Sequence, residues 1–325
     1  MDRRSFLKGA AAIGLGVSAG DQAFGQSFPS KAIRIVVPTT AGAPPDILAR
    51  IVGNAIAEAE GWTVVVENKP GAAMTIGVTE VLRQPADGYT LLSVTAPIAA
   101  VPGLFPNGKF QIGTDFTPVV QLGAAYNVLV INPALPVRTF AEFIAYLKKD
   151  PGKYTYSSGG FGTPAHLLGE MFKLEAGVNT LHVPYQGNAR AIADMISGIN
   201  TYQFITSVAV VELINSGKLR ALVAMSRKRV PSLQDVPTIV EAGYPQLASE
   251  DWAGILAKSE TPAPVVTRLN GAINKVLRID KVRDAFAKVG TDPGGGSPAA
   301  FGALLHAEIA RWTKVIKDAG IKINP

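Results

Sequence analysis

Residues 33–56 decide the fold: they read Ile33-Arg-Ile-Val-Val-Pro38, then Thr39-Thr-Ala-Gly-Ala-Pro-Pro-Asp46, then Ile47-Leu-Ala-Arg-Ile-Val-Gly-Asn-Ala-Ile56. The first segment is apolar and β-branched enough for a buried strand, and the last places its apolar side chains on one stripe of a helix. The small-residue loop between them leads into the first helical turn, where unpaired N–H groups and the positive end of the helix dipole favour an anion. The alternative is that this is one of the many strand–loop–helix units of α/β proteins that bind nothing.

The N-terminus predicts export. A charged segment, Asp2–Lys8, is followed by an apolar run too short to span a bilayer and by small residues at Ala23 and Gly25. Arg3 and Arg4 precede Ser-Phe-Leu-Lys, which is similar to a twin-arginine signal, although a general secretory leader can also carry two arginines. We therefore expect residues 1–25 to be a twin-arginine-type signal peptide, cleaved near Gly25, and the mature chain to be soluble and periplasmic.

Composition limits the chemistry of the mature chain. About 300 residues remain after cleavage, enough for two domains. The chain has no cysteine, which excludes disulfides, thiolate metal sites and a cysteine nucleophile, and its three histidines are too dispersed for a nitrogen-based metal site. The net charge of +6 comes from scattered basic residues. This pattern favours small anions over nucleic acid as the partner.

Strands and helices alternate along the mature chain, which predicts parallel βαβ units in doubly wound sheets. A Pro/Gly-rich passage, residues 97–113, interrupts this alternation and indicates a crossing into a second domain. We expect a first lobe from residues 26–100 plus 226–325 and a second lobe from residues 101–225. Each lobe is predicted to be α/β with a mostly parallel sheet. A ligand cleft is expected between the lobes, because clefts between domains are preferred ligand sites.

A second strand–loop–helix unit has the same character as the first. Ser157-Ser-Gly-Gly-Phe-Gly-Thr163 follows a predicted strand, with Thr163 suited to cap the next helix and Pro164 to its first position. His166 would lie in the first turn of that helix, either as a neutral donor to ligand or loop or as a brace for the glycine loop. His182 and His306 are expected to be structural.

Motifs of common enzymes are missing from the sequence. It contains no Gly-x-Ser-x-Gly elbow, no Gly-Lys-Ser/Thr phosphate loop and no His-Glu-x-x-His helix. The run Gly294-Gly-Gly296 lies between two Pro-containing segments and is interpreted as a turn before the last helix. We therefore expect a binding protein without catalytic residues.

Many stretches, in order along nearly the whole mature chain, resemble the Bug-type extracytoplasmic solute receptors, the substrate-binding subunits of tripartite tricarboxylate transporters. The stretches are Phe28-Pro-Ser-Lys-Ala-Ile-Arg-Ile-Val-Val-Pro38, Asp46-Ile-Leu-Ala-Arg50, Val64-Val-Val-Glu-Asn-Lys-Pro-Gly71, Asp87-Gly-Tyr-Thr-Leu-Leu92, Asp115-Phe-Thr-Pro-Val119, Ser157–Glu170, Val183-Pro-Tyr-Gln-Gly187, Gly217-Lys-Leu-Arg-Ala221, Asp235-Val-Pro-Thr238, Glu241-Ala-Gly243 and Glu308-Ile-Ala-Arg-Trp312.

The resemblance implies a two-lobed periplasmic-binding-protein architecture that closes on a small organic acid and delivers it to membrane permease subunits. It implies a monomer without cofactor, in which backbone N–H groups, hydroxyls and ordered water hold a carboxylate. The ligand residues it implies are Thr39, Thr40, Ala41, Gly42, Asp46, Thr95, Ser157, Ser158, Gly159, Gly162, Thr163, His166, Gln186, Gly187 and Thr206. Two alternatives are a sensor or orphan receptor that presents its ligand to a signalling partner and, third, a periplasmic hydrolase.

The chain departs from the family pattern at two places. Where relatives commonly have a second glycine and a hydroxyl residue, the first loop has Ala43, Pro44 and Pro45, and each proline lacks an N–H. This half of the cradle is therefore expected to have fewer donors. An Asp is frequent in the family at the position of Ile205, and its loss argues against a ligand ammonium. We expect an organic acid with apolar or aromatic character.

Overall fold

The computed structural model describes residues 28–72 and 74–321 of the chain, so the predicted signal peptide lies outside the described residues. The strands are β1 (Ile33–Val37), β2 (Val64–Asn68), β3 (Thr90–Thr95), β4 (Phe116–Ile131), β5 (Thr155–Ser158), β6 (Leu181–Pro184), β7 (Tyr202–Thr206), β8 (Arg220–Ala224), β9 (Glu250–Lys258) and β10 (Thr291–Gly295). The helices are α1 (Pro44–Glu60), α2 (Thr75–Leu82), α3 (Val101–Leu104), α4 (Phe140–Lys149), α5 (Pro164–Ala176), α6 (Asn188–Ile196), α7 (Ser207–Asn215), α8 (Ala263–Val276), α9 (Asp280–Lys288) and α10 (Pro298–Asp318). No helix within the described ranges has the length and apolarity that a membrane span requires.

Parallel strands lie at the two outer sides of the sheet, and antiparallel strands join them. In the first lobe β1 lies between β2 and β3 and pairs with both in parallel. In the second lobe β5 lies between β6 and β7, again in parallel. Between these groups β9 and β4 run antiparallel to their neighbours, in the order β2-β1-β3-β9-β4-β7-β5-β6. The predicted α/β sheets are thus parallel except where the lobes meet.

Strand β4 belongs to both lobes. Its first part, from Phe116 to Tyr126, pairs with β9, and its second part, from Asn127 to Ile131, pairs with β7. Tyr126 pairs with Glu250, the first residue of β9. The chain therefore returns to the first lobe beside the point at which it left it. Here the Ser249 N–H donates to the Met225 carbonyl at 2.6 Å.

This pairing places the lobe boundaries elsewhere than the sequence suggested. Residues 101–126 pair and pack with the first lobe, where α3 contacts α10. Residues 226–249 stay with the second lobe, because Val230, Leu233 and Val236 belong to its core. We propose boundaries at 126/127 and 249/250. With these proposed boundaries the Pro/Gly-rich passage, expected from the sequence to cross into the second domain, lies within the first lobe.

The predicted turn at Gly294–Gly296 is wrong in its first two residues. They end strand β10, which pairs antiparallel with β4. The two strands approach so closely that a Cβ on Gly123 would lie 2.4 Å from the Asp292 carbonyl oxygen. Glycine on both strands permits this contact. Because glycine has a low β-propensity, the sequence does not predict a strand here.

The register of β4 determines where the strand ends of the two lobes lie relative to each other, and so where the cleft forms. Strand β3 ends at Thr95, opposite Ala253 of β9, and Ala253 pairs on its other side with Gly123, three residues before Tyr126. Strand β7 ends at Thr206, opposite Asn127. The carboxyl ends of the parallel strands of both lobes therefore face each other across the Tyr126–Asn127 crossing. The loops that follow those ends lie on the two sides of the cleft.

Helix α10 packs against the first-lobe sheet at a point with no spare volume. A Cβ built on Gly254 of β9 would lie 2.2 Å from the ring of Phe301, which is fully buried.

We expect Gly254→Ala to lower the free energy of unfolding by about 1–3 kcal/mol through overpacking. Gly271→Ala is the control, because this exposed position on α8 has nothing within 4 Å of an added Cβ. The control should raise stability by about 1 kcal/mol. Urea unfolding of both variants tests this, and equal effects would contradict it.

Candidate ligand-binding site

The first loop is organised around Asp46. Its carboxylate is 3% exposed and accepts hydrogen bonds from the Gly42 N–H and the Arg50 Nε, both at 2.9 Å. Burial alone would raise the pKa of Asp46, but these donors outweigh it and lower the pKa. Both carboxylate oxygens are thus engaged within the protein. Asp46, predicted as a ligand residue, lies where it shapes the loop.

The first turn of α1 offers few donors to a ligand. Pro44 and Pro45 lack an N–H, and the Ala43 carbonyl takes the N–H groups of Asp46 and Ile47 at 2.9 and 3.1 Å. The N–H groups of Thr39, Thr40 and Ala41 have no partner within residues 28–72 and 74–321. Thr40, Ala41 and Gly42 are exposed, whereas the Thr39 Oγ1 is shielded and unpartnered there too. This agrees with the expected donor-poor helix start.

The second loop is held by a hydroxyl network. Ser158 Oγ donates to the Gly160 carbonyl at 3.0 Å and shares a hydrogen bond of 2.7 Å with His182 Nε2. Thr163 Oγ1 donates to the same carbonyl at 2.7 Å, as it caps α5. Thr163 is therefore the cap that the sequence predicted. Ser158 and Thr163 support the loop, while the Phe161 and Ala165 N–H groups find no partner in the described part of the chain.

Two histidines brace the glycine loop. The rings of His166 and His182 stack at 4.2 Å, and Phe161 meets both edge-on. His166 Nδ1 accepts the Gly162 N–H at 3.0 Å, so the neutral ring carries its proton on Nε2. Burial lowers the pKa of both rings, that of His182 to about 4 with the help of its neighbour His166. His166 thus takes the bracing role, the second of the two interpretations of the sequence.

Sequence reasoning missed Gln203, which lies beside the predicted Ser157. The two residues pair across β5 and β7, and both are fully buried. Ser157 Oγ and Gln203 Oε1 have no hydrogen-bond partner among the described residues. Gln203 Nε2 donates to Asn188 Oδ1 at 3.4 Å. Buried polar atoms without partners are costly, so this corner of the cleft is suited to a ligand or an ordered water. The signal for Gln203 was a polar residue inside an apolar strand.

The remaining predicted residues lie at the same facing edges. Gly187 donates its N–H to the Gly159 carbonyl at 3.2 Å and so ties the loop after β6 to the glycine loop. Gln186 is exposed beside it. Thr95 ends β3, and Thr206 precedes α7 without a capping bond from its side chain. Ile205, in contrast, is 3% exposed within the second-lobe core. Its side chain packs among apolar residues there, and the argument against a ligand ammonium stays a prediction.

A small cavity joins the lobes at the floor of the cleft. Its volume is about 20 Å³, room for one water, and Ala96 and Leu167 line it from opposite lobes. Polar residues at the crossing, Asn127, Ser249 and Asp251, complete the lining. None of these was predicted, because the crossing strands bring them together from distant positions. Across the described ranges, no cluster of His, Asp or Glu is arranged to hold a metal ion.

Comparisons with known proteins agree with this geometry. Residues 48–321 match the family described as tripartite tricarboxylate transporter family receptor. Protein BugT of Bordetella pertussis is 34% identical over 300 residues, 92% of either chain. An R. palustris protein solved with adipate has a TM-score of 0.74 and 35% identity, covering 91% of this chain and 99% of that one. MatC from Rhodopseudomonas palustris with bound malate has a TM-score of 0.71 and 29% identity, covering 89% and 100%. These folds confirm the predicted two-lobed α/β class.

The histidine pair predicts a pH-dependent stability. The pKa of His182 is about 4 in the folded chain against about 6.5 unfolded, so the unfolded chain binds more protons between these values. The stabilisation is complete above pH 6.5 and is lost as pH falls through 4. We expect His182→Asn to reduce the slope of unfolding free energy against pH in this window, by up to about one proton. Urea unfolding from pH 7 to 4 measures the slope.

A serine without a titratable side chain provides the control for this experiment. Ser216 follows α7 and is exposed, and its Oγ donates to the Leu213 carbonyl at 3.3 Å. Ser216→Ala should leave the slope close to that of the wild type. A wild-type slope retained by His182→Asn would contradict the prediction.

Proposed function

Since the chain belongs to the tripartite tricarboxylate transporter receptor family, we propose that it captures a small organic acid in the periplasm and delivers it to a permease of that type. The resemblance inferred from the sequence is thereby confirmed. One observation carries the proposal: two strand–loop–helix units lie at facing carboxyl edges, and the buried Ser157 hydroxyl beside one of them, which can donate to a carboxylate, has no partner among the described residues.

The chemistry of the cleft supports a carboxylate ligand. Both loops offer N–H groups that have no hydrogen-bond partner within residues 28–72 and 74–321, and hydrogen bonds to a charged acceptor are worth about 1.5–3 kcal/mol each. The relatives solved with adipate and with malate hold ligands of this class. The start of α5 offers the ligand one donor more than the start of α1, because α5 keeps the Ala165 N–H where α1 has a proline.

The hydrolase alternative meets an obstacle at Ser158. Its hydrogen bond of 2.7 Å to His182 has the length of a nucleophile–base pair. Yet Ser158 is fully buried and its hydroxyl also donates to the Gly160 carbonyl, 3.0 Å away. A hydroxyl committed to its own loop supports a receptor rather than an enzyme.

Export and assembly complete the proposal. The twin-arginine-type leader, residues 1–25, would direct the chain to the periplasm with cleavage near Gly25. The mature receptor would act as a monomer without cofactor and present its closed form to the membrane subunits. Pull-down of the permease subunits with and without ligand, from cells lacking the receptor gene, tests this part.

Ligand binding is tested with dicarboxylates. We expect adipate or malate to raise the melting temperature of the mature protein, because a ligand that binds only the folded state stabilises it. Ser157→Ala removes one hydroxyl donor to a carboxylate and should weaken binding about tenfold by calorimetric titration.

Ser216→Ala is the matched control. Its Oγ bonds to the Leu213 carbonyl at the end of α7 and is exposed. The control should bind like the wild type. If no organic acid in a broad panel raises the melting temperature, the proposed function is wrong. Unchanged affinity in Ser157→Ala would remove Ser157 from the site.

A further inference from the structure

Asp251 lies at the edge of the first-lobe sheet that faces the cleft. It is the second residue of β9 and pairs with Ala125 of β4. Two residues further along β9, Ala253 pairs with Thr95, the last residue of β3. Alternate residues on a strand share a face, and directly paired residues do too. Asp251 therefore projects from the same face as Thr95, just beyond the end of β3.

The Asp251 carboxyl has no compensation for its burial. Its Oδ1 is shielded from solvent and finds no hydrogen-bond partner in the described part of the chain. Burial alone raises its pKa to about 6, so the group is mostly ionised at neutral pH. Neighbouring Glu250 differs, because the Arg227 N–H and the charges of Arg227 and Lys228 oppose the effect of its burial. Asp251 is thus a carboxylate that lacks a donor.

We propose that Asp251 determines specificity by accepting a hydrogen bond from a hydroxyl or ammonium group of the bound acid. The ligand is then a hydroxy- or amino-carboxylate rather than a plain carboxylate. This inference rests on the proposed function, and it names the substrate class of the same cleft. It also replaces the expectation drawn from Ile205: the acid that meets the ligand comes from β9 instead of β7.

Charge makes the discrimination strong. An ionised Asp251 next to a ligand carboxylate repels it, and the low dielectric of the cleft increases this repulsion. A hydrogen-bond donor on the ligand makes this interaction attractive instead, because it bonds to the buried Oδ1 of Asp251. A site built to bond such a donor rejects an analogue that lacks it, because its buried polar atom then stays unpaired.

Matched acids that differ in one substituent test the inference. The probes are succinate, malate and aspartate, then 3-phenylpropionate, phenyllactate and phenylalanine, titrated calorimetrically at pH 7.5. We expect the wild type to bind the hydroxy or amino member of a series at least about tenfold more tightly than its plain acid. In Asp251→Asn the plain acid should bind more tightly and the preference should fall below about threefold.

Two further variants support the comparison. Glu250→Gln removes the adjacent acid and should keep the wild-type preference. Asp251→Ser replaces Asp251→Asn if the latter fails to fold, as judged by circular dichroism, and should likewise abolish the preference.

The outcomes separate the two claims. If plain acids bind the wild type as tightly as their hydroxy and amino partners, or if a folded Asp251 variant keeps the preference, the inference is overturned while the carboxylate receptor stands. If no acid of any series binds the wild type, the proposed function fails and the inference fails with it.

Discussion

The pairing of β4 with both sheets is the constraint on which the rest of the structure depends. This strand of 16 residues pairs with β9 up to Tyr126 and with β7 from Asn127 onwards. Register shifts near Pro118 and Gln121 bend it on the first-lobe side. Strands pair in whole-residue steps. This pairing therefore fixes where β3 and β7 end relative to the crossing at Tyr126–Asn127. The two loop sets are thereby brought to opposite sides of one cleft, although they are far apart in the chain.

The two halves of the cleft use the same strand–loop–helix geometry with different internal chemistry. The first loop is tied by a carboxylate, Asp46, which takes the Gly42 N–H and an arginine. The second is tied by hydroxyls and the His166–His182 stack. In each case polar side chains that the sequence suggested as ligand contacts form hydrogen bonds that hold the loop instead. Among the described residues, the buried side-chain atoms left without a partner include Ser157 Oγ and Gln203 Oε1.

Local features of the fold were predictable, and those that depend on distant pairing were not. The Thr163 cap and the Pro164 start of α5 follow from residues close in sequence. Strand β10 was missed, since the glycines at its end mask its extended backbone. The site divides in the same way: its loops were found from small-residue patterns. Gln203 and Asp251 were not, because their roles arise only when β7 lies beside β5 and β9 beside β3.

The unpartnered atoms also explain why a ligand would hold the lobes together. Ser157 and Gln203 lie in the second lobe, and Asp251 lies at the edge of the first. These atoms are shielded from solvent and have no hydrogen-bond partner among the described residues, which is unfavourable. The proposed ligand, with a carboxylate at one end and a donor at the other, would pair with Ser157 on one edge and Asp251 on the other. Its affinity for a closed arrangement would then exceed that for an open one by these contacts, and only such a difference can shift the equilibrium between them.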